Sequence, residues 1–361
     1  MRIAVVSAYK RYTGATLAAR VYFNAFQHLG HAPSWYQCVS SEDRENWDTN
    51  GNVIQGWTPL GDAFNLVLDA FTVFPRRLAS LTEELVFLSD PILLNVAPRV
   101  PRSVLLVHDM REFDPQRRSW LATRIYRRLY RHLDRVDQII CVSHATEDRL
   151  RAIARPRCPV VTVHHCAQLS GDPDAHLATS LRRLQDQREI NIGYLAADRP
   201  YKQVEFFARL ASQLREPYRG VSFRFHLLSE LRPETKRRID ALPGSNLSIY
   251  SRVDDLEQFY AAVDVLAHPS QEEGMGLPVV EAMQFGIPIV GANIPALREI
   301  VGPGGTLVDG LDLERWASPL RDLTDAGSLA AASRASRDRA PEFSPGAFEA
   351  RVRAVFPEPH P

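Results

Sequence analysis

Short apolar runs alternate along the chain with longer amphipathic ones, and this alternation predicts a parallel sheet with helices on both faces. Arg2 to Ser7 reads as a buried strand. Thr16 to Leu29 places Leu17, Val21, Phe23, Ala25 and Phe26 along a predicted helix, which Gly30 closes. Further strands are predicted at Phe64 to Leu68, Leu85 to Leu88, Ser103 to Val107, Gln138 to Val142 and Val160 to Val163. A long helix is predicted over Arg117 to Leu133. Leu169 to Glu189 is polar and lacks a strand pattern, and its SGDPDAH segment reads as a linker. A second alternation follows. Its strands are Ile190 to Ile192, Ser222 to Leu228, Leu247 to Tyr250, Val265 to His268, Pro288 to Gly291 and Thr306 to Val308. Its helices are Val204 to Leu214, Pro233 to Leu242, Asp255 to Val263 and Pro278 to Phe285, with closing helices at Ser328 to Arg339 and Pro345 to Val355.

The pattern thus predicts an α/β protein of two Rossmann-like, doubly wound halves in tandem. They are residues 1–170 and 171–344, with a last helix at about 345–361 returning to the first half. Such sheets bind ligands beyond the carboxyl ends of their strands, so two facing halves would share a central cleft. A chain of 361 residues with 45% hydrophobic content suits two cores. Acidic and basic residues balance at 43 each, which gives no field for nucleic acid. Cys38, Cys141, Cys158 and Cys166 form no C-x-x-C pair, so no metal site is expected and the thiols should be reduced. The apolar N-terminal run is too short for a signal peptide or a membrane span, and a cytoplasmic protein is expected.

The chemistry concentrates in HPSQEEGMGLPVVEAMQFGIPIVGANIPALREIVG, His268 to Gly302. A strand ends near His268, and Gly274 and Gly276 let the following loop approach a ligand closely. Pro278 suits the first turn of a helix, and Gly286 with Pro288 ends it. A strand, a glycine turn and a helix N-terminus form an anion site. Glu273 lies in the loop and Glu281 eight positions later on the helix, on the face of Leu277. A carboxylate beside a phosphate makes sense only if it accepts hydrogen bonds from neighbouring hydroxyls. Two acids bracketing a diphosphate suggest one on a ribose and one on a sugar.

The E-x7-E spacing within EGMGLPVVEAM, followed by GIPIV, resembles the retaining GT-B glycosyltransferases of the family 4-like, group 1 type. VHD at Val107 to Asp109 and QIICVSHATEDRL at Gln138 to Leu150 resemble further segments of that family, and the order of elements agrees across most of the chain. The resemblance implies that Glu281 binds the donor ribose and that Glu273 holds a hydroxyl of the donor sugar. It implies that the amides of Gly274, Met275, Gly276 and Leu277 face the sugar or the diphosphate. His108, with Asp109 beside it on the acceptor side, should stand at the reacting sugar.

The family's Gly-Arg after the first strand of the second half becomes Gly193-Tyr194 here, in GYLAADRPYKQ. Lys202 matches the family lysine, and Arg199 is the candidate for the displaced second cation. Both would neutralise the leaving diphosphate. The family's paired glycines in the first loop reduce to Gly14, in KRYTGAT. No G-x-G-x-x-G is present there, which argues against a dehydrogenase. Ser251 to Val253 resembles the base-contacting turn, with Val253 as the donor contact. No D-x-D metal triplet is evident, and Asp254-Asp255 reads as the acidic start of a helix.

The implied activity is retaining transfer of a hexosyl unit from a UDP- or GDP-sugar to a lipid, glycan or small-molecule acceptor. The nucleotide sugar is a substrate; no cofactor and no divalent metal are expected. The alternatives are a GT-B nucleotide-sugar epimerase and a non-catalytic scaffold of the same fold. Arg99 to Arg157 carries fourteen arginines against seven acids. The plain reading of its Arg117–Arg135 stretch is an amphipathic helix with a solvated basic face. The sharper reading is peripheral contact with an anionic membrane at its inner face.

Overall fold

A computed structural model describes residues 1–8, 14–39, 52–56, 68–113, 120–169, 171–244, 246–253 and 255–358. The chain divides into two compact units. One comprises Met1–His165 with Phe348–Pro361, and the other is Cys166–Ala347. The boundary therefore falls at His165, five residues before the position the sequence suggests.

The first unit is a seven-stranded sheet: β1 (Arg2–Ser7), β2 (Ala32–Val39), β3 (Asn52–Gln55), β4 (Leu85–Leu88), β5 (Ser103–Val107), β6 (Gln138–Cys141) and β7 (Val160–Thr162). Their order is β3-β2-β1-β4-β5-β6-β7, with every pairing parallel. Strands β4 and β5 are buried at every residue, as a sheet covered on both faces requires. Strands β2 and β3 escape the sequence reading; β3, NVIQ, is mostly exposed and carries little periodic signal. The strand expected at Phe64 to Leu68 lies outside the described residues except for Leu68, which is helical.

The helix expected over Arg117 to Leu133 is an α-helix at Trp120–Leu129 that tightens into a 3-10 segment at Tyr130–Arg135; residues 117–119 are not described. Positions three apart eclipse in such a segment, and Tyr130 and Leu133 both reach the core. The closing helix Pro345–Val355 buries Phe348 and Val352. Phe348 meets Tyr22 edge-on at 5.0 Å and stacks on His165 at 6.0 Å, while Phe356 meets Phe26 at 5.0 Å.

The second unit holds β8 (Glu189–Leu195), β9 (Ser222–Leu228), β10 (Leu247–Tyr250), β11 (Val265–His268), β12 (Ile289–Ala292) and β13 (Gly305–Val308). The order is β10-β9-β8-β11-β12-β13, again all parallel. The SGDPDAH segment is not a linker. Asp172 caps helix Pro173–Arg182 by accepting from the amides of Asp174 and Ala175, and Pro173 takes the first turn. Asp-Pro is a helix start as much as a turn signal, and only the docking of His176 on the Val263 carbonyl, at 2.9 Å, decides between them. Asp255 caps helix Leu256–Ala262 as expected, while Asp254 is not described. Among the described residues, no helix is long and apolar enough to cross a membrane.

The aromatic cluster around Phe348 yields one expectation. Phe348→Ala should lower stability by about 3–5 kcal/mol, read as the shift in urea midpoint of the first unit's transition. A loss below about 1 kcal/mol would show that the closing helix is not an integral part of that core.

Candidate active site

Strand β8 opens the second unit. The chain then builds β9 and β10 on one side before crossing to β11 on the other, so the strand order reverses between β8 and β11. The carboxyl ends at such a reversal splay their loops apart and leave a crevice. Lys202 lies beyond β8, at the end of the 3-10 turn Pro200–Lys202, and Glu273 lies beyond β11. The reversal brings them together: Lys202 Nζ donates to Glu273 Oε1 at 2.5 Å. The same oxygen accepts from His268 Nε2 at 2.8 Å. The side chains are 16%, 9% and 0% exposed for Lys202, Glu273 and His268, so the pair is largely withdrawn from water.

Burial alone would raise the Glu273 carboxyl. The Lys202 ammonium and the His268 hydrogen bond outweigh it and hold the group well below the usual carboxylate range. Glu281 is the opposite case. Burial pushes its carboxyl up to about 7, and the hydrogen bond donated by Tyr260 Oη, at 2.7 Å, offsets only part of that. The two acids are thus shifted in opposite directions, one held low by its cation and the other raised by burial.

The helix that carries Glu281 runs Leu277–Gln284, so Pro278 is its second residue rather than its first. Gly276 precedes it at φ 88°, a left-handed conformation that L side chains rarely adopt, and a Cβ there would stand 2.9 Å from Leu297. Pro278 has no N–H, and the amides of Val279 and Val280 both reach the Gly276 carbonyl. Within Gly274 to Leu277, the Met275 side chain is buried in the core.

Arg199 is exposed at the start of the turn that bears Lys202, and no side-chain ion pair holds it among the described residues. Val253 is half-buried just beyond β10, where the sequence places it. Gly14 opens helix Gly14–His28 rather than preceding it.

His108 and Asp109 belong to the first unit, beyond β5. His108 Nε2 meets the Ser89 carbonyl at 2.9 Å, and its ring stacks on His165 at 6.0 Å. Burial lowers the His108 pKa, with Asp109 and the Ser89 carbonyl opposing that shift. Asp109 pairs with Arg111. Among the described residues no three His, Cys, Asp or Glu side chains gather as a metal ion would need.

Three residues of the site were missed in the sequence: His268, Tyr194 and Tyr260. His268 left a signal, a polar residue closing the apolar strand VLAH five positions before the acid. Tyr194 stands where the resembling family has arginine, and it is fully buried.

Residues 189–326 match the family described as Glycosyl transferases group 1, and residues 14–170 match Glycosyltransferase Family 4. The chain belongs to the group 1 glycosyltransferases of the family 4-like type. Among curated relatives, the D-inositol 3-phosphate glycosyltransferase of Rhodococcus opacus is 33% identical over 189 residues, which is 48% of this chain and 41% of that protein. The O-antigen chain mannosyltransferase B of Escherichia coli is 36% identical over 92 residues, covering 25% and 24%. The matches thus span less than half of these relatives' lengths. Sucrose-phosphate synthase from Thermosynechococcus elongatus shares the fold at a TM-score of 0.78 and 17% identity, over 98% of both chains. Anabaena HepE in complex with UDP-glucose does so at 0.76 and 18%, over 98% and 99%. The fold of this glycosyltransferase-family chain is GT-B.

The Lys202–Glu273 pair makes a testable demand. Lys202→Met leaves a buried carboxylate without its cation and should lower stability by about 2–4 kcal/mol at pH 7 in urea unfolding. Adding Glu273→Gln should restore most of it. A carboxyl held low stabilises the fold above its unfolded pKa and loses that contribution as pH falls toward its folded value. The gap between parent and Lys202→Met should therefore narrow below about pH 4. An unchanged urea midpoint in the single variant would show that the pair is not formed in solution.

Proposed function

We propose that this chain is a retaining glycosyltransferase that moves a hexosyl unit from a UDP- or GDP-sugar to an acceptor hydroxyl, without a divalent metal. The observation that carries the reading is the Lys202–Glu273 pair at the strand-order reversal, ahead of a helix that presents Glu281. Lys202, with amides ahead of Pro278, stabilises charge developing on the leaving diphosphate. Glu273 holds a hydroxyl of the donor sugar, Glu281 the ribose hydroxyls, and Val253 lies at the base. Gly14 and Arg199 are assigned to the donor phosphates. His108, beside Asp109, supports the reacting sugar.

The anomeric carbon parts from the phosphate oxygen through an oxocarbenium-like state. The acceptor oxygen bonds to the same face, and its proton passes to the departing phosphate. HepE, solved with UDP-glucose, makes that sugar nucleotide the first donor to try. The O-antigen and inositol-phosphate relatives leave the acceptor class open between glycans, lipids and phosphorylated small molecules.

Binding should be measured for UDP-glucose, UDP-N-acetylglucosamine and GDP-mannose, with EDTA present, on parent and Glu281→Gln. One donor should stabilise the parent by about 2–4 kcal/mol at saturation, and the substitution should weaken it. Ribose hydroxyls favour the Glu281 carboxylate, so binding releases a proton. A raised carboxyl stabilises the fold fully only below its unfolded pKa, and that contribution is lost as pH rises through the folded value of about 7. Donor affinity should therefore rise as pH climbs toward about 7 and level off above it in the parent, and stay flat in Glu281→Gln. If no nucleotide sugar binds in EDTA, the reading is wrong.

A membrane contact is also proposed. Arg124, Arg127, Arg128, Arg131 and Arg135 are exposed along Trp120–Arg135. Burial lowers the His132 pKa, and Arg99, Arg135 and Arg128 lower it further, which marks a local convergence of positive charge. The chain should sediment with phosphatidylglycerol-containing vesicles, be released by salt, and ignore pure phosphatidylcholine. Equal binding to both vesicle types, or to neither, rejects the contact.

A further inference from the structure

Lys202 and Glu273 belong to a closed ring of four residues that returns through the Lys202 main-chain carbonyl. Glu273 Oε1 takes two hydrogen bonds, from Lys202 Nζ at 2.5 Å and from His268 Nε2 at 2.8 Å. The His268 ring meets the Tyr194 ring edge-on, at 5.3 Å and 90°. Tyr194 Oη then returns to the start of the ring, donating to the Lys202 carbonyl at 2.5 Å. His268 and Tyr194 are both fully buried, at the ends of the adjacent strands β11 and β8.

We infer that His268 and Tyr194 are positioning residues that aim the Glu273 carboxylate and the Lys202 ammonium at the donor. The inference rests on the reading of Glu273 as the acid that holds the donor sugar. Both bonds fall on Oε1, so Oε2 is the oxygen presented to a sugar hydroxyl. A carboxylate has no proton to give, so Nε2 of His268 carries the hydrogen in their bond. His268 Nδ1 is buried and has no hydrogen-bond partner among the described residues. Nothing on that side competes with the bond to Glu273. Tyr194 acts on the other member of the pair. Its hydroxyl fixes the backbone of the turn that bears Lys202, and its ring leaves His268 little room to rotate. The position that carries arginine in the resembling family thus holds a brace here, and Lys202 is left as the cation of the pair.

The test uses the full chain with the pairs UDP and UDP-glucose, and GDP and GDP-mannose. In the pair that binds, His268→Leu should reduce the ratio of sugar-nucleotide to diphosphate affinity about tenfold, as expected for one misdirected charge-assisted hydrogen bond. The diphosphate itself should bind within about twofold of parent, because Lys202 remains. His268→Gln, which keeps an N–H donor, should recover most of the ratio. Tyr194→Phe, which acts through Lys202, should weaken both members of the pair equally. Long-range proton–nitrogen spectra should show His268 as the Nε2–H tautomer, with a resonance that moves in Glu273→Gln. An unchanged ratio in folded His268→Leu, failure of His268→Gln to recover it, or an Nδ1–H tautomer overturns the inference. If neither pair binds the parent, the donor reading fails, and the tautomer and its response to Glu273→Gln still decide whether the ring exists.

Discussion

A carboxylate withdrawn from water must be compensated where it stands, and Glu273 meets that demand with one ammonium and one imidazole on a single oxygen. The compensation is possible only because two loops far apart in sequence leave neighbouring strands at the point where strand order reverses. The strict turn geometry around it follows. Gly276 takes a left-handed backbone beside Leu297, and Gly193 lies so close to Val263 that a Cβ would sit 2.5 Å from its methyl group. At both positions the space a side chain would need is taken by a buried neighbour.

The two acids illustrate how environment, not residue type, sets chemistry. Glu273 has a cation in contact and stays ionised; Glu281 has only a phenol and is raised to about 7. They sit eight residues apart and differ in readiness to accept a hydrogen bond. In the first unit the comparable economy is aromatic. His165 is buried between the rings of His108 and Phe348, and burial holds its pKa down to about 3. It therefore stays neutral and acts as a packing plate that ties His108 to the closing helix. The carbonyl contact of His108 shows that a candidate site histidine can also be satisfied by its own backbone surroundings.

Much of the architecture was legible because buried parallel strands are continuous apolar runs and their helices are amphipathic. The strand pattern failed where burial was slight, at β3, and where capping chemistry imitated a turn, at Asp172-Pro173. At the far end of the arginine-rich helix the pattern did not reveal the change to a 3-10 segment after Leu129, because apolar spacing alone does not distinguish an α-helix from its 3-10 continuation. In the site, Glu273 and Glu281 stood out through their spacing, and Lys202 through its match to the resembling family's lysine. His268 and Tyr194 did not, because a buried polar residue at a strand end looks the same whether it packs or positions.

The sequence by itself determined two α/β units, a glycine-proline turn between two acids, and a lysine after the opening strand of the second unit. Those properties reside in local periodicity, turn residues and spacing. The tertiary structure decided which charges meet, which acid is held ionised, and that the arginine position of the resembling family is filled by a buried brace. Contacts across 71 residues, such as Lys202 to Glu273, depend on strand order, and strand order leaves no mark in the local pattern of the chain.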